Sequence, residues 1–262
     1  MKFSKKFKDR YEKLGLFGAL KLTWAKATLG QKRKIILGLK DPEARFTKIY
    51  LENHWNDSES RSGEGSTLEN TQNVRNELPK VLTKYKITSM LDAPCGDFNW
   101  MKSITQGSSI KYIGGDIVKP MIEKNQVTYG SDNISFMHLD ITKNLLPKAD
   151  LMFCRDCLFH LSYQDIALVL ENFLNSPIPY LMTTSHAAPS GPRIDNSDIK
   201  TGDMRLVDLF SKPFCLPQNC VLESISDDMV SLNAQRSLIL VDRDAVQKIS
   251  ENLQNLPEIR RV

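Results

Sequence analysis

The sequence predicts an α/β protein with a doubly wound, mostly parallel sheet that follows an N-terminal helical extension. Short apolar runs alternate with helical stretches from about residue 87 onward, and parallel strands need such crossover connections. Several of these runs end in an acidic residue, which is typical of the ligand-binding edge of such a sheet. The length of 262 residues suits one domain with an appendage.

The N-terminal extension, residues 1–47, is strongly basic. It holds thirteen Lys/Arg against four Asp/Glu, whereas the whole chain has a net charge of only +4. Apolar residues at three- and four-residue steps predict one or two amphipathic helices over residues 3–27, and a short helix is expected before Pro42. The segment is either a solvated basic face or a contact for anionic lipid, nucleic acid or an acidic protein.

A polar loop at residues 57–66 precedes the next predicted helix. Ser66 or Thr67 is expected to cap this helix, and Glu69 stands where a capping box from Ser66 needs it. The apolar residues of the helix fall roughly on one side: Leu68, Val74, Leu78 and Leu82.

The alternating part of the chain gives the remaining elements. Strands are predicted at residues 89–93, 112–117, 134–140, 149–155 and 180–185, with a final strand in 237–244. Helices are predicted at 99–105, 119–129 and 162–174. The long loop 186–215 follows the fifth strand and is expected at the ligand edge. The domain that contains these elements is expected to span 48–246, with a tail at 247–262.

Three features in order predict an adenosine-type ligand. Gly96 supplies a tight turn after the first strand, Asp116 lies twenty residues beyond it at the end of the second, and Asp140 ends the third. The carboxylate of Asp116 is suited to accept hydrogen bonds from both ribose hydroxyls.

Residues 87–187 resemble a class I S-adenosylmethionine-dependent methyltransferase. The resemblance implies a Rossmann-like, seven-stranded sheet whose last strand is antiparallel, and S-adenosyl-L-methionine as the cofactor. The stretch "CRDCLFHLS" resembles the one that faces both methyl donor and acceptor. On the matching positions the implied cofactor-binding residues are Asp92, Ala93, Gly96, Asp97, Asp116, Ile117, Asp140, Ile141 and Arg155.

The first motif departs from the pattern of that family. Pro94 and Phe98 stand where the outer two of its three glycines are expected. A cofactor without phosphates needs no pyrophosphate cradle of backbone amides, so a single glycine for close approach suffices. The same argument disfavours a dinucleotide dehydrogenase.

A longer stretch, about residues 50–217, resembles methyltransferases associated with surface-polysaccharide gene clusters. The resemblance rests on "NHWNDSESRSGEGSTLENT", "LDAPCGDFNWMK" and "TGDMR…KPFCLP". It implies that the loop from Trp55 to Thr67 folds over the cofactor; the alternative is a flexible surface loop before a capped helix. A helix N-terminus at Ser66–Thr67 is suited to hold the cofactor's carboxylate. The residues implied at its methionine end are Ser62, Gly63, Gly65 and Ser66.

Methyl transfer to a hydroxyl needs aligned reactants and a base that removes a proton. The candidate bases are Asp156, His160 and His186, which follow the fourth and fifth strands. Asp156 is alternatively a residue that orients the donor, His160 a hydrogen-bonded structural histidine, and His186 a residue of an exposed loop. Arg155 either binds an acidic acceptor or pairs with Asp116 or Asp140.

No metal site is expected. The run Cys154-x-x-Cys157-x-x-His160 has zinc-like spacing, but no second pair of ligands follows it. A divalent cation held by Asp156 with Asp140 or His186 is conceivable, although nothing in the spacing requires one.

The sequence therefore favours a methyltransferase that O-methylates a sugar, free or nucleotide-linked, of a surface glycan. The alternatives are a methyltransferase on RNA, protein or lipid, or a non-catalytic scaffold of a glycan-assembly complex. Five irregularly spaced cysteines without an export signal favour the cytoplasm. The basic arm would then contact the inner face of the membrane or a partner protein, and no nucleic-acid partner is expected.

Overall fold

The computed structural model describes residues 30–229, 235–257 and 259. The helix predicted over residues 3–27 lies outside these ranges. The chain divides into two compact units, Met1–Lys40 and Asp41–Val262. In the described part of the first unit, residues 30–38 form helix α1. No helix of the described ranges is long and apolar enough to cross a membrane.

The second unit contains a seven-stranded sheet with the order β3-β2-β1-β4-β5-β7-β6. Strands β1 to β5 run parallel to one another, and β7 is antiparallel to both β5 and β6. The predicted Rossmann-like sheet with an antiparallel last strand is confirmed. The strands are β1 (Ser89–Asp92), β2 (Lys111–Asp116), β3 (Ile134–His138), β4 (Leu151–Cys154), β5 (Tyr180–Ser185), β6 (Glu223–Ser226) and β7 (Ser237–Asp242).

Helices cover both faces of the sheet. Successive residues of a strand point to opposite faces, so these buried strands present apolar side chains to helices on either side. Met90 and Leu240 pack in one layer with α3 (Gln72–Lys84), whereas Leu91 and Val241 pack in the other layer with α6 (Tyr163–Asn175) and α7 (Arg243–Gln254). The helices are α2 (Pro42–Leu51), α3 (Gln72–Lys84), α4 (Lys102–Thr105), α5 (Lys119–Tyr129), α6 (Tyr163–Asn175) and α7 (Arg243–Gln254).

Helix α2 begins at a strong start signal. The Asp41 side chain accepts a hydrogen bond from the Ala44 N–H at 2.8 Å, and Pro42 occupies the first helical position, where its missing N–H costs nothing. Pro42, Phe46 and Tyr50 follow at four-residue steps and therefore share one face of the helix.

Helix α3 begins later than predicted. Ser66 ends a 3₁₀ helix, Thr67 and Leu68 are extended or in turns, and the cap residue of α3 is Thr71. Thr67 Oγ1 instead accepts the Asn70 N–H at 3.3 Å within the preceding turn. The expected helix N-terminus at Ser66–Thr67, with its capping box to Glu69, is wrong, and Leu68 is 41% exposed rather than on the buried face.

Candidate functional site

A cleft lies along the carboxyl ends of the parallel strands. The empty space in it, open solvent included, is about 1120 Å³. Its walls come from the turns after β1, β2, β3 and β4, from α2 and from the loop before α3. This is the edge at which doubly wound sheets bind their ligands.

The turn after β1 needs its single glycine. Gly96 has φ +58° and its N–H donates to Asp116 Oδ2 at 3.1 Å, while a Cβ at this position would clash with Ser62 Oγ. Its carbonyl accepts from Asn125 Nδ2 at 2.8 Å. The left-handed backbone and the close approach of Ser62 together require glycine here.

Phe98, one of the two departures from the family pattern, has a packing role. It is 1% exposed, and its ring lies 5.0 to 5.2 Å from the rings of Tyr112, Tyr129 and Phe136. The turn therefore inserts an aromatic side chain into the core where the family pattern has a glycine, in spite of a φ of +60°.

Asp116 ends β2 and is held by backbone amides. Its Oδ1 accepts from Val118 N–H at 3.0 Å and its Oδ2 from Gly96 N–H. Burial raises the pKa of Asp116 to about 6, although these hydrogen bonds oppose the shift. The carboxylate is thereby fixed at the cleft wall with Ile117 beside it.

Asp92 ends β1 and is more deeply buried. Tyr112 donates its hydroxyl to Asp92 Oδ2 at 2.7 Å. Burial raises the pKa of Asp92 to about 7, and the hydrogen bond from Tyr112 lowers it only in part. A positively charged ligand in the cleft would favour the ionised form of both Asp92 and Asp116.

Asp97 holds the loop 57–66 instead of facing the cleft. Its carboxylate accepts from Arg61 N–H at 2.7 Å, from Ser60 Oγ at 3.0 Å and from Ser62 Oγ at 3.2 Å. Its own N–H donates to Ser62 Oγ at 2.9 Å. The loop is therefore anchored to the glycine turn, and Asp97, which the resemblance implies as a cofactor-binding residue, is not among the residues that line the cleft.

Replacing Asp97 by alanine is expected to release the loop. The Arg61 amide loses its charged acceptor, so its hydrogen exchange should accelerate about tenfold, in line with roughly 1.5 kcal/mol for a hydrogen bond to a charged group. Exchange measured by mass spectrometry on peptides covering residues 57–66 tests this. Asp132→Ala, which removes an exposed carboxylate, is the control; equal exchange in both variants would contradict the anchoring role.

The two glycines of the loop have structural reasons of their own. Gly63 has φ +94° and packs against Trp55, and a Cβ on Gly65 would lie 2.7 Å from Asp156 Oδ2. Neither glycine lines the cleft. Ser62, Ser66 and Trp55, in contrast, do line it.

Asp140 lies in the turn after β3, two residues beyond the end of the strand. It accepts from Thr142 Oγ1 at 2.6 Å and pairs with Lys143 at 3.0 Å. Burial alone would raise the pKa of Asp140, but these partners outweigh it and hold the pKa below its ordinary value. Asp140 and Ile141 both line the cleft.

Two aspartates and two arginines form a buried ion network at the end of β4. Arg155 donates through Nε and Nη2 to Asp227 at 2.9 Å each, and its Nη1 lies 3.1 Å from Asp156 Oδ2. Arg236 reaches Asp156 Oδ1 at 2.9 Å and Asp227 Oδ2 at 3.1 Å. The pairing of Arg155 differs from both expected partners, Asp116 and Asp140.

The network sets the charge of Asp156. Burial alone would raise its pKa, but the guanidinium groups of Arg155 and Arg236 outweigh burial and hold the pKa below its ordinary value. Asp156 is therefore an ionised hydrogen-bond acceptor at neutral pH and a weak proton acceptor. This geometry favours its orienting role over its role as a base.

His160 lies at the cleft wall in the tautomer that a base requires. Its Nδ1 lies 2.8 Å from the carbonyl oxygen of Asp203, which only accepts, so Nδ1 carries the proton and Nε2 keeps its lone pair. Burial lowers the pKa of His160. The hydrogen bond to Asp203 and the charge of Asp156 act in the opposite direction, but burial outweighs them. The imidazole is neutral at pH 7.

His186 is buried rather than in an exposed loop. Its Nδ1 accepts from the Val207 N–H at 3.2 Å, so the proton is on Nε2 and no lone pair remains for a substrate. Burial lowers the pKa of His186 to about 4. His186 does not line the cleft, and its contacts favour a structural role between β5 and the segment around Val207.

Most of the residues proposed from sequence meet at the cleft. Those that line it are Trp55, Ser62, Ser66, Asp92, Gly96, Asp116, Ile117, Asp140, Ile141, Arg155, Asp156 and His160. Gly63, Gly65, Ala93, Asp97 and His186 are not among the lining residues. Sequence reasoning missed Phe46, Tyr50, Asp165 and Thr201, which also line it. The four-residue spacing of Phe46 and Tyr50 was a signal for the first two.

Comparisons with known proteins give structural likenesses at low sequence identity. No protein-family model and no curated protein sequence matches the chain. Several of the solved structures that resemble it are S-adenosylmethionine-dependent methyltransferases.

One of these structures is magnesium protoporphyrin IX methyltransferase from Synechocystis PCC 6803, at 16% identity and TM-score 0.48 over 66% of this chain and 84% of that one. Another is the N-methyltransferase NodS from Bradyrhizobium japonicum WM9, at 13% identity and TM-score 0.48 over 66% of this chain and 96% of that one. Human N-acetylserotonin methyltransferase has 16% identity and TM-score 0.45 over 74% of this chain and 62% of its own.

Proposed function

We propose that this protein is an S-adenosylmethionine-dependent methyltransferase that transfers the methyl group to a hydroxyl of a sugar. The observation that carries the proposal is the pairing of Asp116 with the Gly96 turn at the wall of the cleft. The turn offers its amide to a carboxylate of the protein itself, so it leaves no cradle for a phosphate. The carboxylate that it fixes is suited to ribose hydroxyls.

The residues of the cleft fit a cationic, phosphate-free adenosine cofactor. Asp92, Asp116 and Asp156 present carboxylates to the space where such a cofactor would lie. Their negative charge complements a sulfonium and an ammonium group and repels a pyrophosphate. Asp116 would hold the ribose, and Leu139 and Ile141 would contact the adenine. When bound, the cofactor supplies an electrophilic methyl group.

His160 is the base in this proposal. Its neutral imidazole has a lone pair on Nε2, and the Asp203 carbonyl holds the ring in that tautomer. The acceptor hydroxyl would donate its proton to Nε2 as its oxygen takes the methyl group, whose bond to the sulfonium sulfur breaks with the electron pair left on sulfur. Asp156 carries an ionised carboxylate near His160 and stabilises the imidazolium that results.

Asp116→Ala tests the cofactor half of the proposal. Loss of two hydrogen bonds to a charged acceptor is expected to weaken S-adenosylhomocysteine binding by roughly 2–3 kcal/mol, or about 30- to 150-fold. Titration calorimetry measures the affinity, and Asp132→Ala removes an equal charge at an exposed position. Tight binding by Asp116→Ala, or no binding by the unmodified protein, would sink the proposal.

The sugar acceptor and the glycan setting rest on the resemblance of residues 50–217 and on the hydroxyl chemistry that His160 supports. RNA, protein or lipid acceptors remain the alternative acceptor class. Deleting residues 1–40, the first compact unit, leaves helix α2 with Phe46 in place and separates the two: sugar methylation should survive this deletion, whereas binding to a polyanion should weaken in a salt-dependent way. Residence in the cytoplasm, with the basic arm at the membrane or on a partner, is part of the same proposal.

A further inference from the structure

We propose that the acceptor subsite selects an uncharged, hydroxylated ring and rejects a ring that bears a phosphate or a carboxylate. The inference rests on the proposed methyl transfer and adds the charge class of its acceptor. The subsite is the part of the cleft around His160, with walls from Phe46, Tyr50 and Trp55.

Aromatic side chains surround the base. The Trp55 ring centroid lies 5.8 Å from that of His160, and the Phe46 ring lies 6.4 Å from it. Tyr50 lines the same cleft one helical turn beyond Phe46 on α2. An acceptor whose hydroxyl reaches His160 therefore lies against aromatic surface. Trp55 itself is 37% exposed, so its ring is available for this contact. Such surface packs well on the apolar face of a ring.

Polar groups complete the subsite on the side of α6. Asp165 and Thr201 line the cleft, and the Thr201 hydroxyl donates to the Asp165 carboxylate. Arg45 on α2 donates to the Thr201 carbonyl at 2.9 Å and so ties this loop to the aromatic wall. An aromatic wall opposite a carboxylate and a hydroxyl matches a molecule with one apolar face and several hydroxyl groups.

The charge of the cleft decides against an anionic ring. Five carboxylates line it, those of Asp92, Asp116, Asp140, Asp156 and Asp165, against the two guanidinium groups of Arg61 and Arg155. Lys143 pairs with Asp140 and Arg236 pairs with Asp156 from outside the lining, so the five carboxylates still outnumber these four cations. The Arg155 guanidinium is occupied by Asp227 and Asp156, so it is not free to bind an acidic acceptor. A phosphate or carboxylate entering this field meets like charge and loses affinity.

Two further cations lie near the subsite. Arg205, whose charge acts on His160, is buried and does not line the cleft. Its Nη1 donates to the Leu161 carbonyl at 2.6 Å and its guanidinium lies over the Tyr163 ring at 5.2 Å, whereas its Nε and Nη2 have no hydrogen-bond partner among the described residues. Arg61 lies within 3.5 Å of the Tyr50 and Leu51 carbonyls. The sugar diphosphates of activated sugars are therefore poor acceptors in this proposal, and a glycoside without phosphate is the expected class.

The test compares sugars that share one ring and either carry or lack an anionic group. Methyl glucoside, methyl glucuronide, glucose 6-phosphate and UDP-glucose, with the matching galactose and mannose series, are each incubated with S-adenosylmethionine and the full-length protein, and released S-adenosylhomocysteine is measured. Turnover is expected for uncharged members, with kcat/KM at least about tenfold above that of the charged member of the same ring. Equal or faster turnover of a phosphate or uronate overturns the proposal, as does the absence of turnover throughout.

Two variants separate charge selection from a merely structural effect. Asp165→Asn removes one cleft carboxylate, so the ratio of kcat/KM between uncharged and charged sugars should narrow several-fold; an unchanged ratio counts against the proposal. Tyr50→Ala should raise KM for the sugar. Calorimetry with S-adenosylhomocysteine on the same samples keeps the two proposals apart: binding without any turnover rejects the acceptor class alone, whereas no binding rejects the proposed function.

Discussion

Replacing His160 by glutamine is expected to lower kcat about 10²- to 10⁴-fold, the range that general-base catalysis contributes, while S-adenosylhomocysteine binds with unchanged affinity. Glutamine retains an amide that can donate to the Asp203 carbonyl, so the local fold is kept while the basic nitrogen is lost. Turnover is measured with the sugar that gives the highest rate, and affinity by calorimetry.

His54→Gln makes the same change at a half-buried histidine that does not line the cleft, and it should leave kcat within about twofold. Retention of full turnover by His160→Gln would remove His160 from the reaction. A parallel loss of cofactor affinity would instead indicate a structural role.

The pH profile of the unmodified protein should carry the mark of the same histidine. A base works in its neutral form, and burial lowers the pKa of His160 below 6.5. The kcat/KM for the sugar is therefore expected to stay flat from pH 8 toward 6.5 and to fall only at lower pH, with Asp156 opposing and Arg205 assisting the shift. The assay uses saturating S-adenosylmethionine, so that the titration of Asp92 and Asp116 does not affect the profile. Loss of activity already between pH 8 and 7 would then contradict a neutral His160.

Replacing Asp227 by alanine is expected to lower the free energy of unfolding by about 3–5 kcal/mol, the cost of breaking a buried ion pair. Arg155 and Arg236 are 4% and 2% exposed, so removal of Asp227 leaves Asp156 as their shared counter-ion. Urea unfolding followed by circular dichroism measures the loss.

Two further variants establish that the loss comes from uncompensated charge. Asp228→Ala removes the neighbouring, exposed carboxylate, which accepts the Arg236 N–H at 2.7 Å, and should cost only about 1 kcal/mol. Adding Arg236→Met to Asp227→Ala removes one cation with one anion and should recover part of the loss. The charge argument would be contradicted if the double variant lost more free energy of unfolding than Asp227→Ala and Arg236→Met lose together as single variants.

The strands that form the sheet centre were predictable because each is a short apolar run that ends at a turn. β5 and α5 agree with the prediction residue for residue, and β7 was placed correctly as the antiparallel strand. β6 was not predicted as a strand: it has four residues, of which only Ile225 is buried, so it shows too little alternation to be recognised. The start of α3 was misplaced because Thr67 and Thr71 are equally good caps by residue type.

The candidate site was predictable where it follows the strand ends, as at Asp92, Asp116 and His160. The contacts that adjust these groups were not. Arg155 meets Asp227 across 72 positions of the chain, and Asp97 meets Ser60 across 37, so both depend on the path of intervening loops. The aromatic wall of α2 had a readable period, but the same period equally fits a helix face that packs on a core.

The close approach of Ser62 to Gly96 also constrains how this chain can diverge. Any side chain larger than hydrogen at position 96 displaces Ser62, and a shorter residue at position 62 that relieves the clash removes the hydroxyl that receives the Asp97 N–H. A change at either position is therefore expected to be accepted only with a second change at the other. We expect positions 62 and 96, which are thirty-four residues apart in the chain, to change together among related sequences.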